Sequence, residues 1–104
     1  MQEATLKLIT KYGMEVDKVD FELYLIKLKN KVYKLLPLRE EELEWEKYLN
    51  TILIEISGLN ELFLDNQVNL ISLLAKLEGL YKLEDFMVYR KTIFECLNII
   101  EKMR

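Results

Sequence analysis

Apolar residues recur along most of this chain at alternating steps of four and three, the spacing that places side chains on one face of an α-helix. In residues 17–36 the stripe is Phe21, Leu25, Leu28, Val32 and Leu35. Asp17 and Asp20 suit its N-terminus, as a cap and as charge against the helix dipole. Pro37 is expected to end this helix, because the residue before a proline is pushed out of the α region. A third helix is predicted from Leu38 or Arg39 to Phe63, on the stripe Trp45, Leu49, Ile52, Ile56, Leu59 and Phe63. Its first turn would hold the acidic run Glu40, Glu41 and Glu42, and Gly58 falls inside it, either admitting a closely packed neighbour or marking a bend. Asp65 and Asn66 signal a turn and cap. A shorter helix follows with Leu70, Leu73, Leu74 and Leu77 inward and Gly79 near its end. After a connection at Leu80, Tyr81 and Lys82, Glu84 and Asp85 lead into a last helix carrying Phe86, Tyr89, Ile93, Leu97 and Ile100.

Residues 3–12 form a short amphipathic segment anchored by Leu6 and Ile9 and stopped at Gly13. No segment reads as a strand. The pattern predicts an all-α fold: a four-helix bundle with an additional short N-terminal helix. One domain spans 1–104, with residues 1–13 as a peripheral arm.

The second predicted helix carries more apolar surface than one core needs. At 100° per residue, Val19, Leu23, Ile26 and Tyr33 fall opposite its core stripe. A helix at the edge of a bundle should have one apolar stripe and a polar back. The N-terminal segment, through Leu6, Leu8, Ile9 and Tyr12, could cover part of this second stripe; otherwise a partner does. Leu43 and Ile54 on the third helix, and Val88 and Ile99 on the fifth, also point away from their stripes, while Met87 and Phe94 widen the core face of the fifth.

Composition narrows the chemistry. The 104 residues are 51% hydrophobic and about a fifth leucine, too apolar for a disordered tail. The single proline and three glycines leave room for long helices. No apolar run approaches the roughly 20 residues of a bilayer span, and no signal-peptide core is visible, so the chain is read as cytoplasmic with no membrane contact. There is no histidine, which removes the commonest general base and metal ligand. Cys96 is the only cysteine, read as a small core residue. No glycine-rich phosphate loop is present. Carboxylates remain: Glu41 and Glu44 are three apart, which on a helix shares a face, but Glu61 and Asp65 make a poor second pair for a metal-dependent hydrolase.

Lys27, Lys31 and Lys34 lie at i, i+4 and i+7 on the second helix, a row that could meet phosphates. Asp20 continues the row, the net charge is −3, and no aromatic–basic interleaving suggests base stacking. These features together favour a non-catalytic interaction protein, without cofactor or metal. It would bind a protein partner through Val19, Leu23, Ile26 and Tyr33, with a homodimer as the leading form. A small adaptor, a regulator or an inhibitor of the phage or mobile-element type fits this size and composition. The alternative is a nucleic-acid-associated protein using Lys27, Lys31 and Lys34.

Overall fold

A computed structural model describes residues 17–62 and 68–104. They form α1 (Lys18–Tyr33), α2 (Leu35–Glu40), α3 (Trp45–Leu62), α4 (Val68–Gly79), a 3₁₀ turn (Leu80–Lys82) and α5 (Phe86–Lys102). The fold is all-α, with no strand among the described residues. The N-terminal arm, including Leu6, Leu8, Ile9, Tyr12 and Gly13, lies outside the described residues, as do Phe63 and the predicted turn at Asp65 and Asn66.

The expected cap at Asp17 is in place, and Asp85 caps the last helix in the same way. The Asp17 carboxylate accepts hydrogen bonds from the Val19 and Asp20 amides at 2.8 and 3.2 Å. That of Asp85 accepts from the Met87 amide at 2.8 Å. Each occupies a helix N-terminus whose first amides have no partner within the helix.

The stretch around Pro37 departs from expectation. Pro37 does not end a helix; it is the third residue of α2, where an absent N–H breaks no helical bond. Its ring is incompatible with the carbonyl four residues back, that of Tyr33, and Tyr33 is where α1 stops. Lys34 stays helical, with φ −62° and ψ −19°, and bridges the two helices. Its amide donates to Asn30 O at 3.1 Å and its carbonyl accepts from the Leu38 amide at 3.3 Å.

The acidic run does not open α3. Glu40 ends α2, Glu41 caps it and Glu42 takes the left-handed conformation, with φ 55°. The Glu42 amide donates to Arg39 O at 3.0 Å and the Leu43 amide to Leu38 O at 2.8 Å. This pair of bonds is the Schellman closure of a helix C-terminus. It turns the chain, and α3 starts afresh at Trp45.

α5 packs between α1 and α4, α4 against α3, and α3 against α1 and α2. Residue pairs across these seams fix the helices antiparallel: Lys29 meets Glu101 and Tyr33 meets Phe94. Lys31 reaches Glu55 while Lys34 lies over Tyr48. The core is built from Phe21, Leu25, Leu28 and Val32 of α1, Leu49, Ile52 and Ile56 of α3, Leu70, Leu73 and Leu77 of α4, and Ile93 and Ile100 of α5. Burying each large aliphatic side chain stabilises the fold by about 1.5–3 kcal/mol.

Trp45, Leu74 and Leu97, expected inside, are half-buried against this core. On α5, Tyr89, Ile93, Ile100 and Cys96 are buried and Val88 is exposed, as expected. Ile99, expected to point outward, is buried, whereas Met87 and Phe94, expected to widen the core face, are exposed. A helix clasped between two neighbours buries a wider arc, and on α5 that arc extends through Cys96 and Ile99. The wholly buried Tyr89 keeps its hydroxyl satisfied by donating to Leu35 O at 3.1 Å. This bond ties α5 to α2.

Candidate interaction surface

The outer face of α1 stands where the periodicity places it. Val19 is 65% exposed, Leu23 54%, Ile26 38% and Tyr33 52%, whereas Leu25, Leu28 and Val32 on the inner face are fully buried. One helix thus carries two apolar faces, and among the described residues a single one is covered. The band continues onto α5 through Phe94, whose ring meets that of Tyr33 edge-on at 6.4 Å between centroids. Arg90 lies over the other part of this pair, with its guanidinium 5.0 Å from the Phe94 ring centre. Leu43 and Ile54 are exposed as expected, though Leu43 lies in the α2–α3 turn rather than on a helix.

The lysine row is divided by its neighbours. Lys31 pairs with the Glu55 carboxylate at 2.8 Å. Lys34 lies 5.6 Å from the centre of the Tyr48 ring. Lys27 is exposed and has no ion pair among the described residues. One lysine of the three is therefore uncommitted, so the row does not present three charges to one ligand.

Glu55 joins α3 to α1 twice, accepting from Lys31 Nζ and from the Tyr24 hydroxyl. Burial alone would raise its pKa; the hydrogen bonds from Lys31 and Tyr24 and the Lys31 charge outweigh that and hold it below the ordinary carboxylate value. The Tyr24 hydroxyl is pushed far up, first by burial and then by its bond to Glu55. The network holds a charge in place between the two helices.

A cluster invisible in the periodicity gathers at the start of α3. The Arg39 guanidinium lies 4.3 Å from the centre of the Tyr89 ring and 5.2 Å from that of Trp45. It donates through Nη2 to Glu84 O at 2.9 Å. Its Nη1 is buried without a hydrogen-bond partner and is held by the aromatic faces instead. Tyr81 and Phe86 extend the aromatic group to either side. The only sequence signal was the density of Trp and Tyr near one arginine. What brings them together is the jog at Lys34 and the α2–α3 turn, both set by backbone geometry that the apolar spacing does not carry.

The carboxylate pair Glu41 and Glu44 shares no helix face, since Glu41 caps α2 and Glu44 precedes α3. Glu44 instead pairs with Lys47 at 3.1 Å. Among the described residues no three His, Cys, Asp or Glu side chains converge as a metal site would require. The Cys96 thiol is buried, and burial is the main reason its pKa is pushed up to about 12. No described helix is long and apolar enough to cross a membrane.

A different kind of surface lies between α3 and α4. An open groove of about 380 Å³ runs there over an apolar floor of Leu53, Ile54 and Leu74. Ser57 and Gly58 form its shallow middle, and Glu61 and Glu78 are part of its lining. Gly58 lies inside a continuous α3, which settles the choice between a break and an uninterrupted helix. Nor does Gly58 admit a close neighbour among the described residues: none approaches within 4 Å of where its Cβ would stand.

Comparison with protein-family models, with curated proteins and with solved structures finds no match to this chain.

Proposed function

We propose that this chain is a non-catalytic helical interaction protein whose α1–α5 face receives a protein partner, with a second copy of itself as the leading form. The four longer helices then act as a four-helix bundle, to which the N-terminal arm adds a fifth element. The observation that carries this reading is the exposed apolar band of Val19, Leu23, Ile26 and Tyr33, continued by Phe94. Contiguous apolar surface of this kind on a small domain marks an interaction site more often than chance exposure. Four aliphatic and aromatic anchors on one straight helix suit a two-fold contact, in which α1 of each copy crosses the other and the stripe pairs with itself. Association must first overcome the loss of rotational and translational freedom, so the band has to be buried as a whole to hold a dimer.

The absence of histidine and the burial of Cys96 support the non-catalytic part of the proposal. The lysine row of Lys27, Lys31 and Lys34 gives the nucleic-acid alternative less support, because Lys31 is already paired with Glu55.

Leu23→Glu with Ile26→Glu tests the reading. Both positions are exposed, so the double variant should keep its helical circular dichroism and thermal midpoint while light scattering shows the dimer lost. A wild-type chain that is monomeric at about 50 μM, a concentration at which a micromolar dimer would be well populated, sinks the homodimer. A double variant that unfolds would instead mean that the stripe belongs to the core.

A further inference from the structure

Three of the four long seams of this fold are bridged by a lysine–glutamate pair. Lys29 meets Glu101 between α1 and α5, Lys31 meets Glu55 between α1 and α3, and Lys76 meets Glu95 between α4 and α5. The fourth seam, between α3 and α4, is the groove, and it breaks the rule. It presents Glu61 and Glu78, both exposed and without an ion pair among the described residues. No cation is among its lining residues.

Each of these two carboxylates stands in the last turn of its helix, since α3 ends at Leu62 and α4 at Gly79. The dipole there disfavours an acid. Because α3 and α4 run antiparallel, the two acids sit at opposite ends of the apolar floor. Tyr81, just beyond α4, donates to Glu46 O near the start of α3, which fixes that direction. Glu78 therefore lies level with Asn50, and eleven residues of α3 separate Asn50 from Glu61, about 16 Å at the helical rise.

Gly58 adds an independent observation. Glycine is among the poorest helix formers, yet it occupies the interior of α3. Among the described residues nothing lies within 4 Å of where its Cβ would stand. Bareness at this point lowers the groove floor and leaves room for a side chain laid along it.

We propose that the α3–α4 groove docks an amphipathic helix of another protein. That helix carries lysine or arginine at positions i and i+11 and apolar anchors at i+4 and i+7. These four positions share one face of a helix. The two cations are about 16 Å apart along the axis, matching the two acids, and the apolar pair falls over Leu53, Ile54 and Leu74. The groove is open rather than enclosed and lies along two antiparallel helices, so the recognition is that of a helix laid in a groove. This surface is separate from the α1–α5 face.

The probe is an 18-residue alanine-based helical peptide with leucine at i+4 and i+7 and lysine at i and i+11, titrated into the ¹⁵N-labelled full chain. Amide shifts should be saturable and confined to residues 50–61 and 74–78. Replacing the two lysines by glutamate should weaken binding by about tenfold or more. Glu61→Lys with Glu78→Lys should reverse that preference, binding the glutamate peptide better than the lysine peptide. Gly58→Leu should block both peptides in a chain whose circular dichroism is unchanged. Leu23→Glu with Ile26→Glu should leave peptide binding as it is, which separates this surface from the dimer contact. No saturable shift up to about 1 mM peptide, equal binding of the two peptides, or shifts on α1 and α5 would each overturn the proposal.

Discussion

The two flanks of α3 are built from similar residues and end up opposite in character. Toward α1 the seam is closed: Tyr24, Lys31 and Glu55 interlock, and the charge on Glu55 is balanced within the chain. Toward α4 the seam is open: Ile54 is 65% exposed, Gly58 is bare, and among the described residues Glu61 and Glu78 have no cation opposite them. Both flanks hold apolar and acidic side chains. The difference is that one supplies a lysine and a tyrosine from the neighbouring helix and the other does not. Burial and charge balance are thus properties of the pair of helices, and the outward-facing stripe of α1 makes the same point.

The strongest way to break this comparison is to truncate a buried core residue of α3 beside an exposed one. Ile52 is almost completely buried, whereas Ile54, two residues on, faces solvent. Ile52→Ala should cost about 2–5 kcal/mol in chemical denaturation. Ile54→Ala should change stability by less than about 0.5 kcal/mol. Comparable losses at the two positions would mean that the α4 flank is filled and that the groove does not exist.

The closed flank predicts a pH signature. Glu55 has its pKa lowered in the fold relative to the ordinary 4.5, so the unfolded chain binds more protons in the window just below that value. Stability then rises with pH through the window and is lost as pH falls through the folded pKa. Glu55→Gln should cost roughly 1–2 kcal/mol near neutrality, where it removes a charge-assisted bond and leaves Lys31 without its partner. The gap between wild type and variant should narrow as the pH drops below 4.5. Urea midpoints across the acid range measure it, and a pH-independent gap would show that the charge on Glu55 contributes nothing. Glu101, held low first by its hydrogen bond to Lys29, shifts wild type and variant alike and cancels in the difference.

The open flank predicts a gain. Alanine at position 58 meets nothing within 4 Å among the described residues, so Gly58→Ala should stabilise by about 1 kcal/mol through helix propensity alone. A loss would mean that Gly58 serves the fold, and the argument that its bareness faces outward would go with it.

Much of this was legible in the residues and some was not, for physical reasons. The stripes of α3 and α4 and the caps Asp17 and Asp85 are local: spacing and one side chain decide them. The exposed stripe of α1 follows from the same periodicity. The break at Tyr33 was misplaced because Pro37 acts on the carbonyl four residues back while the following turn remains helical. On α5 the exchange of Ile99 for Met87 and Phe94 depends on which two helices clasp it, which no single-helix pattern contains. The α3–α4 groove and the Arg39 cluster are tertiary in the same sense. Glu61 and Glu78 lie seventeen positions apart, and only the antiparallel return of the chain puts them along one groove.

The smallest effect concerns the turn that launches α3 and so sets the register of both flanks. Glu42 is the left-handed residue of the α2 closure, with φ 55°. A residue with a Cβ pays roughly 1–2 kcal/mol to stand there, and glycine does not, though glycine loses more freedom on folding, by roughly 0.5–1 kcal/mol. Glu42 also places a carboxylate at the negative end of a helix, beside Glu40 and Glu41, which a neutral residue would relieve. Glu42→Gly should therefore stabilise by about 0.5–1 kcal/mol, the difference of the two backbone contributions with a small electrostatic gain. Glu42→Gln separates the parts: it removes the charge, keeps the strain and should recover only the electrostatic share. Denaturation midpoints at low and high salt measure both. If glycine gains no more than glutamine, the closure of α2 is not strained at this position. If glycine destabilises, α3 does not begin where the Schellman turn releases it, and the comparison between its flanks loses its register.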